Sequence, residues 1–221
     1  MTNAAPFLAW PGRDVFSFFI RRGIAITILW VVVYGGADLI TGWRQLRFRV
    51  HFDWELAIPF VPAAVLAYVS LNLLLLLAPF ILRNRQSLDA YAKALGAEIL
   101  IAGLCFLIFP AELAFDQSAD AGGWSNLLTV ARTIALHYNL VPSLHVAMAV
   151  LSVAAFATRG NEFARGLLWV WALAIAASTL LTHQHHVIDV IAGWLLGIAA
   201  KRFIFDRADR PIPSTNPETP A

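Results

Sequence analysis

Two short stretches concentrate the side chains able to do acid–base and nucleophilic chemistry. LVPSLHVAMAV carries Ser143 and His145 just after Pro142, and STLLTHQHHVIDVIAG carries Ser178, His183, His185, His186 and Asp189. His185 and Asp189 are four residues apart, which places them on one helix face within side-chain reach. A carboxylate there fixes the imidazole tautomer and raises its basicity, the orienting role it has in hydrolase triads. Pro142 sits where a proline opens a helix without losing a needed N–H. Ser143 then lies beside the free donors of a helix start, a natural anion site, with His145 at its mouth. Taken singly, each stretch also fits a structural role: a helix cap with an interfacial histidine, or a buried His–Asp hydrogen bond.

The elements that must position these groups belong in a bilayer. Of 221 residues, 59% are hydrophobic and only 14% are charged, whereas soluble domains run at about 25% charged. A water-soluble globule and a disordered chain are both excluded. A formal charge of +2 does not make a nucleic-acid binder, because the 16 Lys and Arg sit in short clusters between apolar runs. The pattern predicts an all-α polytopic membrane protein. Its six transmembrane helices form one bundle, at residues 23–40, 57–82, 94–113, 141–158, 166–182 and 186–205. Pro59, Pro62 and Pro79 predict kinked or unwound ends for the second. Within the long connection 114–140, WSNLLTVARTIAL predicts a short interfacial helix with Leu127, Leu128, Ala131 and Ile134 on its apolar side.

Residues 1–22 read as a cytoplasmic or interfacial N-terminus without a secretory pattern, 23–205 as one membrane domain, and 206–221 as a disordered tail. With the N- and C-termini inside, twelve basic residues face the cytoplasm and four (Arg44, Arg47, Arg49 and Arg132) face out. This N-in, C-in topology brings His145 and the histidine cluster to the outer face at one depth, though they are 40 residues apart in sequence. Trp43, Trp54 and Trp124 fit an aromatic belt there. Cys105, inside ILIAGLCFLIF, reads as core packing. Asp38 and Glu98 read as groups that cap or pair near helix ends. Asn139 reads as a partner of the PSLH turn or of a ligand. His186 reads as an interfacial residue or a rival partner for Asp189.

PSLH, followed by Ser178, His185 and Asp189, resembles the phosphatidic acid phosphatase type 2 / haloperoxidase superfamily. That family's second motif is Pro-Ser-x-His. Its third has Ser-Arg, a His seven residues after the Ser and an Asp four later, the spacing found here. Thr179 stands where the third motif has Arg, and the first motif, a Lys followed by Arg-Pro, is absent. This pattern is closest to the branch of inositol phosphorylceramide and sphingomyelin synthases, to which DWELAIPFVPAAVLAYVS and the LCFLIFP run are also similar.

The resemblance implies a lipid phosphatase or phosphotransferase working through a phosphohistidine. His185 would be the nucleophile, Asp189 its orienting group and His145 the general acid and base. Ser143, Asn139, Arg132, Ser178 and His183 would bind the substrate. Arg132 is the first choice for the cation that replaces the missing ones, because its loop leads into PSLH; Arg44, Arg47 and Arg49 are the alternatives. No cofactor and no metal is expected. The expected partners are a membrane lipid substrate and the bilayer, with no nucleic acid and with the oligomeric state left open. The expected place is a bacterial inner membrane with the site facing the periplasm. Two rival readings remain. HQHH with His145 and Asp189 has metal-ligand chemistry, but the HxxxH and HxxHH boxes of membrane di-iron enzymes are absent. A non-catalytic membrane partner on the same fold is the other.

Overall fold

The computed structural model describes residues 6–118 and 120–210, in which helices dominate and a lone bridge between Phe48 and Ala111 is the one sheet-like pairing. The chain forms α1 (Arg13–Gly42), α2 (Val65–Leu76), α3 (Ala78–Leu82) and α4 (Arg85–Ile108). There follow α5 (Ser125–Ala135), α6 (Leu144–Ala157), α7 (Glu162–Leu181) and α8 (Val187–Ala200).

Local chemistry sets these boundaries. Side-chain oxygens cap three helix starts: Asn84 accepts from the Ser87 N–H at 2.7 Å, Ser143 from Val146 at 3.4 Å and Asn161 from Ala164 at 2.9 Å. The prolines divide the expected second segment. Short 3₁₀ turns form at Asp53–Ala57 and Pro62–Ala64, and Pro79 starts α3 after the break at Leu77. α4 begins nine residues earlier than expected, because the Asn84 cap precedes the apolar stretch. α8 does not stop at Ala200; it runs through a π-helical turn (Lys201–Phe205) into Asp206–Ala208. Asp206–Ala208, expected within the tail, is therefore helical. Asp209 is docked by Arg159 at 2.6 Å and by the Ser87 hydroxyl at 2.5 Å. Residues 211–221 lie outside the described residues.

Three helices, α1, α4 and α7, are long and apolar enough to cross a membrane, while Pro62–Leu76 and α6 are apolar but shorter. Helix forms at each of the six expected places, and length alone qualifies three of them. Large apolar side chains remain uncovered along the outside: Ile24, Ile28 and Val32 on α1, Leu167, Val170 and Leu173 on α7, and Ile191 and Leu195 on α8. A hydrocarbon solvent accommodates this surface and water does not. The protein is a membrane protein.

α6 is the central helix. Val146, Ala147, Ala149, Val150, Leu151, Val153, Ala155 and Phe156 are all buried, the pattern of a helix enclosed on every side. It packs against α8, α7, α4 and α2. Small residues let α8 lie against α6 nearly backbone to backbone. A Cβ at Gly193 would stand 2.3 Å from the Ser143 carbonyl oxygen, and one at Gly197 2.6 Å from that of Ala147. Only glycine fits there. α5 is the short helix expected between the third and fourth segments. Leu128 and Ala131 are buried and Leu127 half-buried, but Ile134 faces outward, one turn past the contact with α2.

Candidate active site

The third motif is shaped by the way α7 ends. The Thr179 carbonyl accepts the N–H groups of both Gln184 (2.9 Å) and His185 (3.2 Å), folding the chain back over the helix terminus. His183 takes the left-handed conformation needed for this reversal, at φ 56°. Its Nε2–H donates to the Ile58 carbonyl at 3.0 Å and its ring stacks on Phe115 at 4.1 Å. Ser178 and Thr179 bond back to their own helix, to the carbonyls of Ile175 (2.6 Å) and Ala176 (2.8 Å), and both are buried. All three stand in the structure as scaffold around the turn.

His185 and Asp189 meet, but not on a helix face. α8 starts at Val187, so His185 lies outside it. Asp189 reaches back as the acid of a capping box, with Oδ2 accepting the His186 backbone N–H at 2.8 Å. The same oxygen faces His185 Nδ1 at 3.3 Å. The carboxylate only accepts, so Nδ1 carries the proton and Nε2 keeps its lone pair.

His186 is neither interfacial nor a ring partner of Asp189. Its Nε2 accepts the Ala114 N–H at 3.1 Å, which leaves Nδ1–H to donate to Glu55 Oε2 at 3.1 Å. With both nitrogens engaged and the ring fully buried, it has no lone pair for chemistry.

The second motif joins the third through the backbone. Ser143 is buried and caps α6, and its own N–H donates to the Asp189 carbonyl oxygen at 2.9 Å. His145 stacks on Tyr68 at 3.9 Å, and its Nε2–H donates to the Tyr68 carbonyl at 2.7 Å. That fixes the tautomer and leaves Nδ1 as the exchangeable nitrogen.

A cavity of about 370 Å³ opens at His185, with Arg132, Asn139 and Gln184 also in its wall and Glu112 and His137 among the others. Arg132 Nη1 donates to the Gln117 carbonyl at 2.9 Å, while its Nε and Nη2 are buried with no partner. Partial burial lowers the pKa of this guanidinium from its ordinary value; it stays charged all the same. Asn139 Nδ2 donates to the Tyr34 carbonyl at 2.7 Å, and its Oδ1 has no partner.

The arginines of loop one (residues 43–64, between α1 and α2) go elsewhere. Arg44 reaches the Leu107 carbonyl, Arg47 covers the Tyr138 ring at 4.3 Å and Arg49 pairs with Asp53. Asp38 binds the turn before PSLH, accepting from His137 (3.0 Å) and Tyr138 (2.8 Å). Glu98 departs from expectation: it lies in mid-α4, fully buried, with neither oxygen partnered. Of the residues expected to act, His185, Arg132 and Asn139 share the cavity wall, His145 packs on Tyr68 at the start of α6, and Ser143, Ser178 and His183 hold the frame. Glu55, Tyr68 and Gln184 were missed. The sole cue to Glu55 was an acid set in an apolar stretch, DWELAIPF.

No curated protein and no solved structure matches the chain. A family model described as the PAP2 superfamily matches residues 45–203, a span that holds both histidine motifs and the cavity. Members of that superfamily are generally phosphatases or phosphotransferases. With the match running over most of its length, the chain belongs to the PAP2 superfamily.

Proposed function

We propose that the protein transfers a phosphoryl or phospho-head group between membrane lipids through a phosphohistidine at His185. One observation carries this reading: Arg132, with two donors unmatched, shares a cavity wall with His185, whose Nδ1 is engaged by Asp189. In the first step His185 Nε2 attacks phosphorus, the bond to the leaving oxygen breaks, and His145, entering as the imidazolium with Nε2–H on the Tyr68 carbonyl, gives that oxygen its Nδ1 proton. In the second step a water or an acceptor hydroxyl attacks phosphorus while its proton passes to His145. The P–N bond breaks and His185 is restored. The Arg132 fork suits the charge on the equatorial oxygens. Asn139 Oδ1 suits a hydroxyl donor from the ligand.

Head-group transfer is favoured over plain phosphatase action by the cation supply. Thr179 stands where the superfamily's third motif has Arg, and its hydroxyl is tied to Ala176. Arg132 is the one Lys or Arg among the residues lining the cavity. A phosphodiester carries one negative charge where a monoester carries nearly two, so fewer cations suffice. This agrees with the resemblance to the inositol phosphorylceramide and sphingomyelin synthase branch. The basic-residue asymmetry supports six spans, N-in and C-in, and a site facing the periplasm of a bacterial inner membrane.

The test supplies the purified protein with phosphatidylcholine or phosphatidylinositol plus diacylglycerol or ceramide, against phosphatidic acid alone. A transfer product is expected. Rapid phosphate release from phosphatidic acid with no transfer product would instead establish the plain phosphatase. Inactivity in every pair would favour the non-catalytic partner.

A further inference from the structure

We infer that Glu55 is a positioning residue for this site, acting through His186 on the turn that carries His185 and Asp189. The inference rests on the reading of His185 as nucleophile.

Glu55 lies in the first-loop turn Asp53–Ala57, is fully buried, and is 131 residues from His186 in sequence. Its Oε2 accepts both the His186 Nδ1–H (3.1 Å) and the Val187 N–H (3.0 Å), and Oε1 accepts the Phe52 N–H (3.2 Å). The His186 ring is held between Phe115, at 4.7 Å, and His51, at 5.1 Å, while Ala114 N–H occupies its far nitrogen. The ring therefore cannot turn. The backbone N–H of the same residue holds Asp189 Oδ2, the oxygen that faces His185. A chain of four groups thus runs from Glu55 to the nucleophile.

Loop one touches the turn at two other points, Ile58 carbonyl to His183 (3.0 Å) and Val61 N–H to the Leu181 carbonyl (2.8 Å). Both use backbone groups on the loop side, so a change of side chain there leaves them in place. Glu55 makes its link with a side chain. A buried carboxylate is costly and an apolar residue of that size packs as well; what the carboxylate adds is a fixed orientation. Without it the His186 Nδ1–H loses its acceptor. The Val187 N–H loses the same acceptor, so the backbone of the turn at His186–Val187 is less firmly held, and with it the His186 N–H that holds Asp189.

The experiment uses the full chain in detergent micelles, with [15N]histidine labelling to read each ring's tautomer. Turnover is followed with phosphatidic acid and with phosphatidylcholine plus diacylglycerol. Glu55→Ala is expected to lower kcat at least about tenfold with KM within about twofold, since it disturbs orientation and not binding. It should also shift the His185 ring signals, although the two residues are not in contact. Glu55→Gln, which keeps an acceptor for His186 and Val187, is expected to restore kcat to within about threefold of the parent. If Glu55→Ala does not fold, His186→Phe replaces it with the same expectation, because it keeps ring volume and drops both ring hydrogen bonds. A folded Glu55→Ala protein with parental kcat and unmoved His185 signals would overturn the proposal. So would equal losses in the Ala and Gln variants that merely track unfolding temperature. If the parent protein turns over neither substrate, the spectra decide alone. A shifted His185 then upholds the link while the nucleophile reading falls.

Discussion

The backbone N–H of Ser143 donates to the backbone carbonyl of Asp189 at 2.9 Å, joining the second motif to the third without any side chain. The contact exists because Gly193 lies one turn further along α8, against the Ser143 carbonyl. The two histidine motifs are thereby joined where two helices lie in direct backbone contact.

Gly193→Ala should be more damaging than its distance from the cavity suggests. A methyl group 2.3 Å from the Ser143 carbonyl must push α8 off α6. Overpacking of this kind costs about 1–3 kcal/mol. The expected result is a lowered unfolding temperature in detergent together with loss of turnover. A variant with parental stability and activity would show that the helices are not in close contact.

The catalytic side chains should divide by role. His185→Ala and Asp189→Ala are expected to abolish turnover. His145→Ala should slow the reaction about 10²–10⁴-fold yet still form phosphoenzyme from a donor with an activated leaving group. Acid-labile phosphate on the protein, trapped by rapid quench, is the measurement. An active His185→Ala protein would remove the nucleophile assignment.

Arg132→Lys should not rescue what Arg132→Ala loses. The parent side chain offers Nε and Nη2 as a planar fork while Nη1 stays on the Gln117 carbonyl. A lysine cannot do both. Both variants are expected to lose about 10²-fold or more in kcat/KM. Recovery in the lysine variant would mean that a point charge suffices.

Turnover should survive excess EDTA, because imidazoles, a helix N-terminus and one arginine can handle a phosphoryl group unaided. Loss of activity that Zn²⁺ or Mg²⁺ restores would revive the metal reading.

The orientation can be read with single cysteines in a Cys105→Ser background. Position 125, at the start of α5 on the cavity side, should label from outside with a membrane-impermeant maleimide. Position 161, at the cap of α7 on the opposite end, should not. The reverse pattern would invert the topology.

Which residues are candidates for the chemistry was legible from local spacing and from the side of the membrane each must face. Both arguments are short-range or global, and neither needs tertiary detail. That is why His145, His185, Asp189 and Arg132 could be named from the chain, along with the apolar helices and the interfacial α5. The reason for the His185–Asp189 pairing was not legible. Spacing of four suggests a helix face, whereas the pair is made by a cap reaching back across a helix start. The GWLLG step on α8 was a readable small-residue signal for close helix approach, and was passed over.

Composition, hydropathy and motif spacing by themselves determined that this is a helical membrane protein with two histidine motifs meeting at one end. The tertiary structure alone decided which histidine has both ring nitrogens engaged. Motif spacing singles out His185 from its neighbour His186, but nothing in the sequence says what engages the other ring. The difference is made by Glu55 and the Ala114 N–H, brought from 131 and 72 residues away to occupy both nitrogens of His186. A hydrogen bond is set by distance and direction in space, so the partner that silences a side chain can come from anywhere in the chain.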